Sequence, residues 1–249
     1  MASSPPPLTW LDPGDPFPAV TVAWGQESDA PGLLCAGADL LPHTLQAAYA
    51  QGIFPWFSDG QPLLWWSPDP RMVLRMQDFR LHRSLRKTLQ TFVATAGCEV
   101  RMDTAFPQVI QACAESSRRG QSGTWIVDDM VAAYTQLHRQ GVAHSVETWC
   151  DGVLVGGLYC IGIGQAVFGE SMFMRQTDAS KIALAALVAF CRHTGIQMVD
   201  CQQNTQHLAS LGAREMPRAD FVHHIRQARE APAPHWEFSP LYWNELLSA

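Results

Sequence analysis

Asp200 and Gln202 are the first pair in this chain placed to handle a proton together. In an extended segment alternate residues share a face, so Met198, Asp200 and Gln202 point one way, Val199 and Cys201 the other. On that pattern Asp200 orients and polarises the Gln202 amide, whose carbonyl oxygen accepts a hydrogen bond. Cys201 and His207 have the residue types of a thiol hydrolase, but the same alternation turns the thiol away from Asp200 and Gln202, into packing. Glu170 lies among glycines on a strand and suits a cationic ligand, the ordinary alternative being an ion pair with Arg175 or Lys181. Met172 shares its face, and a flexible thioether there suits a pocket that accepts side chains of different shape. Arg71, Arg75, Arg80, Arg83, Arg86 and Lys87 supply six of the 17 basic residues, against Asp78 alone in that window. Such a strip is either a solvated helix face or a line of phosphate contacts.

Elements must hold these residues in place, and the composition allows them. The 249 residues are 47% hydrophobic and 16% charged, enough apolar material for a sizeable core. The formal charge of −6 argues against indiscriminate coating of a polyanion. The apolar run Ile182 to Cys191 is about half of a membrane span, and Met1 to Pro7 carries no secretory signal. Seven cysteines without a C-x-x-C pair fit a reducing compartment and neither a disulfide framework nor a zinc site.

Residues 1 to about 32 read as irregular chain. Thr44 is expected to cap a short helix carrying Leu45, Ala48 and Tyr49, stopped by Gly52. The aromatics of Ile53 to Phe57 and Leu64 to Arg71, set between prolines, form a rigid loop or edge strand. Beyond Met76, helices capped by Ser84 and Thr104 flank a strand at Cys98 to Met102, and a helix runs from Asp128 or Asp129 to Gly141. Asp151-Gly152 marks a hairpin between His144–Trp149 and Val153–Tyr159. Then come a strand Gln165 to Phe173, a helix Ala179 to His193, a strand Gln197 to Cys201 and a helix Thr205 to Leu211. This is an α/β (α+β) pattern with a mixed sheet. Gly156, Gly157, Gly162, Gly164 and Gly169 point to bulges or to a pocket between splayed strands.

Tyr49-x-x-Gly52-Ile53-Phe54-Pro55-Trp56, Trp65-Trp66-Ser67-Pro68-Asp69-Pro70-Arg71, Gly123-Thr124-Trp125-Ile126 and Gly169-Glu170-Ser171-Met172-Phe173 stand in order. Asp178-Ala179-Ser180-Lys181, Asp200-Cys201-Gln202 and His207-Leu208-Ala209-Ser210-Leu211-Gly212 follow. The set, spanning about residues 32 to 222, resembles the bacterial leucyl/phenylalanyl-tRNA–protein transferase family. The resemblance implies a small N-terminal domain (1–75) and a domain of GNAT-like, N-acetyltransferase-like fold (76–249). It implies transfer of Leu, Phe or less often Met from aminoacyl-tRNA to proteins with N-terminal Arg or Lys, marking them as N-degrons for degradation. A cytoplasmic monomer is expected, with no ATP, metal, coenzyme or membrane involved. Asp200 and Gln202 are the implied catalytic pair; Tyr49, Trp56, Trp125, Glu170 and Met172 the substrate-binding set; Arg83, Arg86 and Lys87 the tRNA phosphate contacts. Trp56 and Trp125 are candidates to sandwich the terminal adenine. One departure is visible: Thr205 stands where the family usually has Asn.

The implied chemistry is modest in its demands. An aminoacyl ester is already activated and the attacking α-amine is the nucleophile, so positioning and proton handling suffice. Gln202 aligns the amine on this reading, with the final proton acceptor open. An acetyl-CoA enzyme would need a Gly-rich turn for pyrophosphate; Arg175 to Ser180 has no glycine and carries Asp178. A tRNA-binding module without catalysis would not explain Asp200 and Gln202.

Overall fold

A computed structural model of the chain describes residues 7–116 and 126–248. Four short strands open it: β1 (Thr9–Leu11), β2 (Leu33–Gly37), β3 (Phe54–Pro55) and β4 (Leu64–Trp66), in the order β1-β2-β4-β3. Of the aromatic-rich segments one supplies the edge strand β3 and the other the inner strand β4, and Thr9–Leu11, read above as irregular, pairs in parallel with β2. Helix α1 (Pro42–Tyr49) joins β2 to β3. Proline opens it, and Thr44 lies inside it, its hydroxyl donating to Asp39 instead of capping.

A seven-stranded sheet follows. It comprises β5 (Arg71–Arg75), β6 (Cys98–Met102), β7 (Ala143–Cys150), β8 (Val153–Ile163), β9 (Ala166–Met174), β10 (Met198–Gln202) and β11 (Arg214–Met216). Their order is β11-β5-β10-β9-β8-β7-β6, and every neighbouring pair is antiparallel except β9 and β10. Asp151 and Gly152 both take positive φ, as a tight two-residue hairpin between β7 and β8 requires. The large sheet thus begins at Arg71, ahead of Met76, with β5 second from its edge.

Helices α2 (Arg83–Ala94), α3 (Phe106–Glu115), α4 (Asp128–Arg139) and α5 (Ala179–Thr194) cover its faces. Neither Ser84 nor Thr104 caps: α2 starts after His82, and the Thr104 hydroxyl donates to Glu147. Short helices α6 (Gln206–Ser210), α7 (Arg218–Ala228) and α8 (Asn244–Leu247) finish the chain. One apolar cluster joins the small sheet, α1, α3 and α4 to one face, so Leu11 and Trp65 share a core with Phe106 and Phe168. The other gathers α2, α5 and α8 on the opposite face. Helix α5 is apolar all round and buried from Ile182 to Cys191, and each such Leu, Ile, Val or Phe contributes roughly 1.5–3 kcal/mol.

Two of the glycines serve this packing, while Gly169 stands beside a bulge and lines a cavity. A Cβ at Gly156 would lie 2.5 Å from the Ala179 Cβ, so the glycine lets α5 cross β8. At Gly162 the space is taken by Trp236, 2.9 Å away. Among the described residues no helix is long and apolar enough to cross a membrane.

Candidate active site

The two parallel strands are where the sheet opens. β9 and β10 pair only at Val167 with Val199 and at Phe168 with Asp200. Beyond that point both are bulged. On β9, Ser171 pairs with Tyr159 and Gly169 with Cys160, which leaves Glu170 as the extra residue. On β10, Asp200 and Gln202 pair with consecutive residues of β5, which leaves Cys201 extra. A bulge bends its strand and re-aims the side chains beside it, and here two of them face each other across the split.

Asp200 is buried and so is Arg71. The guanidinium donates from Nε to Oδ1 at 2.8 Å and from Nη2 to Oδ2 at 2.7 Å. Its Nη1 donates to the Gly52 carbonyl at 3.1 Å, and Phe54 and Phe221 lie 4.7 and 4.6 Å from its centre. Oδ1 of Asp200 also accepts the Gln202 backbone N–H at 2.9 Å. That bond holds Gln202 at φ 62°, a left-handed conformation that costs a non-glycine residue about 1–2 kcal/mol. Asp200 therefore fixes the backbone of Gln202, whereas alternation has it polarise the amide; the bulge is the reason for the difference.

The Gln202 amide turns to Glu170 instead, its Nε2 donating to Oε1 at 2.7 Å. The same oxygen accepts the Tyr49 hydroxyl at 2.7 Å, and Tyr134 stands 3.5 Å from Oε2. Tyr49 and Tyr134 are themselves hydrogen-bonded. Burial pushes the Glu170 carboxyl up to about 8; the Tyr49 hydrogen bond opposes this, Asp200's charge adds to it and Arg71 counters it. Burial likewise raises both phenols. The alternative ion pairs do not form: Lys181 bonds Asp178 at 2.7 Å, and Arg175 lies over Phe173. Tyr49 is fully buried, so it reaches the site through Glu170.

Two cavities meet at this carboxylate. One, of about 130 Å³, is walled by Phe54, Trp56, Gln202 and Gln203; the other, of about 330 Å³, by Leu158, Met172, Leu184, Leu187 and His207. Glu170, Cys201, Thr205 and Leu208 line both. Trp56 is half-buried and leans on Trp66 at 5.3 Å, while Met172 lines the larger cavity and Met174 is exposed. A larger cavity, about 740 Å³ beside Arg75 and Arg192, is lined by none of the predicted catalytic or substrate-binding residues.

Cys201 is half-buried and packs against the α5 cluster, as alternation expects, while its edge lines the wall the two cavities share. Burial and the Asp200 charge hold its thiol well above the ordinary cysteine range, so it is a poor nucleophile. Thr205 caps α6, its hydroxyl accepting from the Leu208 N–H at 3.2 Å. Trp125 lies outside the described residues.

Of the basic strip, Arg83 and Lys87 are exposed on α2 and Arg86 is half-buried. Arg71 leaves the strip for the core. Its place at the head of the apolar run Met72-Val73-Leu74 is the signal for this, since a buried guanidinium needs a buried anion. Tyr134, in the α4 core stripe with Met130 and Leu137, carries no chemical signal in its spacing.

An antiparallel run from β6 to β9, returning through α5 to a parallel, diverging β10, defines a GNAT-like α/β chain with its polar cluster in the split. Family models for "leucyl/phenylalanyl-tRNA protein transferase" match residues 73–226, and for its N-terminal domain residues 38–69. A leucyl/phenylalanyl-tRNA–protein transferase of Polaromonas sp. strain JS666 is 61% identical over 249 residues, covering 100% of this chain and 98% of that protein. One from Leptothrix cholodnii is 58% identical over 243 residues, covering 96% and 95%. A GCN5-related N-acetyltransferase from Kribbella flavida is 10% identical, with a TM-score of 0.37 over 69% of this chain and 60% of that one. The chain belongs to the leucyl/phenylalanyl-tRNA–protein transferase family and is an aminoacyltransferase.

Proposed function

We propose that this chain transfers Leu, Phe and less often Met from aminoacyl-tRNA to the N-terminal Arg or Lys of proteins, marking them for N-degron degradation. One observation carries the reading: an aromatic-walled cavity and an apolar one share a wall at Glu170. The terminal adenosine fits beside Trp56, the donor side chain beside Met172, and the ester between them falls at Glu170 and Gln202. Glu170 receives the acceptor's α-ammonium as its counter-ion, and Gln202, pinned by Asp200, aligns the nitrogen. The reaction needs positioning of two reactants, not a covalent intermediate. It draws on no ATP, metal or coenzyme, and the enzyme acts as a cytoplasmic monomer. The experiment is filter capture of label passed from leucyl-tRNA to an Arg-initiated peptide, with an acetyl-CoA control; transfer from acetyl-CoA alone would overturn the assignment.

Two expectations follow for tRNA. Trp56→Ala loses a stacking platform worth roughly 1–3 kcal/mol, so KM for leucyl-tRNA rises about 5- to 150-fold. A lowered melting temperature with KM unchanged would assign the ring to packing against Trp66. Reversing Arg83, Arg86 and Lys87 to Glu weakens tRNA binding and flattens its salt dependence, because fewer counterions are released. Transfer from a minimal aminoacyl-adenosine survives; equal loss with both donors makes the strip structural.

A further inference from the structure

We infer that Glu170 is the proton acceptor of the transfer, taking a proton from the acceptor's α-ammonium before the nitrogen attacks the ester. The inference rests on the transfer reading proposed above and goes further, since that reading asks only for a counter-ion.

The other carboxylate of the site is committed. Both Asp200 oxygens bind Arg71, and one also holds the Gln202 backbone, so a proton there would break a buried ion pair. Gln202 itself is a poor base, and its amide nitrogen already donates to Glu170. Glu170 is the carboxylate that lines both cavities without a bidentate cation partner. The groups around it are Tyr49 from α1, Tyr134 from α4, Asp200, Cys201 and Gln202 from β10, Cys160 from β8, Arg71 from β5 and His207 from α6. Among the described residues the guanidinium acting on it, Arg71, is spent on Asp200. The phenols and the amide fix the carboxylate, and the bulge at Glu170 turns it into the split.

The protons balance. The α-ammonium gives one proton to Glu170, and the freed lone pair forms the N–C bond at the ester carbonyl. As the C–O bond to the ribose 3′ oxygen breaks with its electron pair, that oxygen takes the second proton from the attacking nitrogen. Glu170 releases the first proton to solvent, one per turnover, so an acceptor whose nitrogen is already neutral bypasses it. Matching favours this route: burial raises Glu170 to about 8, level with an ordinary α-amine at ~7.7–8.0, so the transfer between them is nearly thermoneutral.

The sign of the pH dependence follows. Below about 8 both Glu170 and the amine hold their protons, so kcat/KM falls as pH drops. The test is single-turnover transfer across this range with wild type, Glu170→Gln and Glu170→Asp. Two acceptors are compared: an Arg-initiated peptide, and the same peptide with its α-amine replaced by an aminooxy group, which is neutral at pH 7. With the amine, Glu170→Gln is expected to be about 100-fold slower at pH 7, while with the aminooxy acceptor it stays within about threefold of wild type. The acid limb disappears for wild type on the aminooxy acceptor and persists for Glu170→Asp on the amine. Equal loss by Glu170→Gln on both acceptors, or full activity on the amine, overturns the inference. Wild type that binds leucyl-tRNA yet transfers to neither acceptor sinks the transfer reading instead, so the two failures are distinct.

Discussion

Arg71→Met is expected to destabilise the protein by about 3–5 kcal/mol, because it leaves the Asp200 carboxylate buried and unpaired. The guanidinium makes two bonds to Asp200 and one to the Gly52 carbonyl, lies between two phenylalanine rings and is fully buried. Asp200→Ala should cost a similar amount for the mirror reason. The double variant Arg71→Met with Asp200→Met removes both charges, and an ion pair replaced by apolar side chains of similar volume is often neutral or better. Urea unfolding of all four proteins measures this. The double variant should regain most of the stability and little of the turnover, because the Gln202 backbone has lost its anchor. If Arg71→Met alone unfolds within about 1 kcal/mol of wild type, far below the 3–5 expected of a broken buried pair, the pair is not the clamp described.

Gln202→Ala is the second large effect, and it should fall on the chemistry. The side chain is half-buried, lines the smaller cavity and bonds Glu170, so its removal frees the carboxylate and unguides the amine. A misplacement of about 1 Å costs on the order of 10²-fold in rate, and that loss should appear in kcat and kcat/KM together with tRNA affinity kept. Cys201→Ala, beside it, should retain most of its activity because its thiol stays protonated. An inactive but folded Cys201→Ala beside an active Gln202→Ala would mean a covalent acyl-enzyme.

These two variants separate roles that alternation along a strand had merged. In the sequence Asp200 and Gln202 are two apart and look like one device. Strand pairing shows where the equivalence fails: the bulge at Cys201 shifts the register, so Asp200 turns to the core and Gln202 to the cavity. A bulge is decided by what the neighbouring strands can pair with, and no local pattern announces it. The cap residues Thr44, Ser84 and Thr104 show the same limit. Each has the right chemistry in the right place, but the hydroxyls of Thr44 and Thr104 found carboxylates at Asp39 and Glu147.

What the sequence alone determined is the set of elements and the inventory of chemistry. An apolar run marks α5, Asp128 or Asp129 and Gly141 bound α4, Asp151-Gly152 marks the hairpin, and the ordered motifs mark the family, because these depend on neighbours within a few residues or on identity alone. The tertiary structure decided the partners. Arg71 sits 129 positions from Asp200, and Tyr49 sits 121 from Glu170. The pairing of β5 with β10 brings Arg71 to Asp200, and the packing of α1 and α4 onto the sheet face brings Tyr49 to Glu170. Proton chemistry depends on such distances and on burial, which raises Glu170 and commits Asp200, and both are properties of the packed sheet.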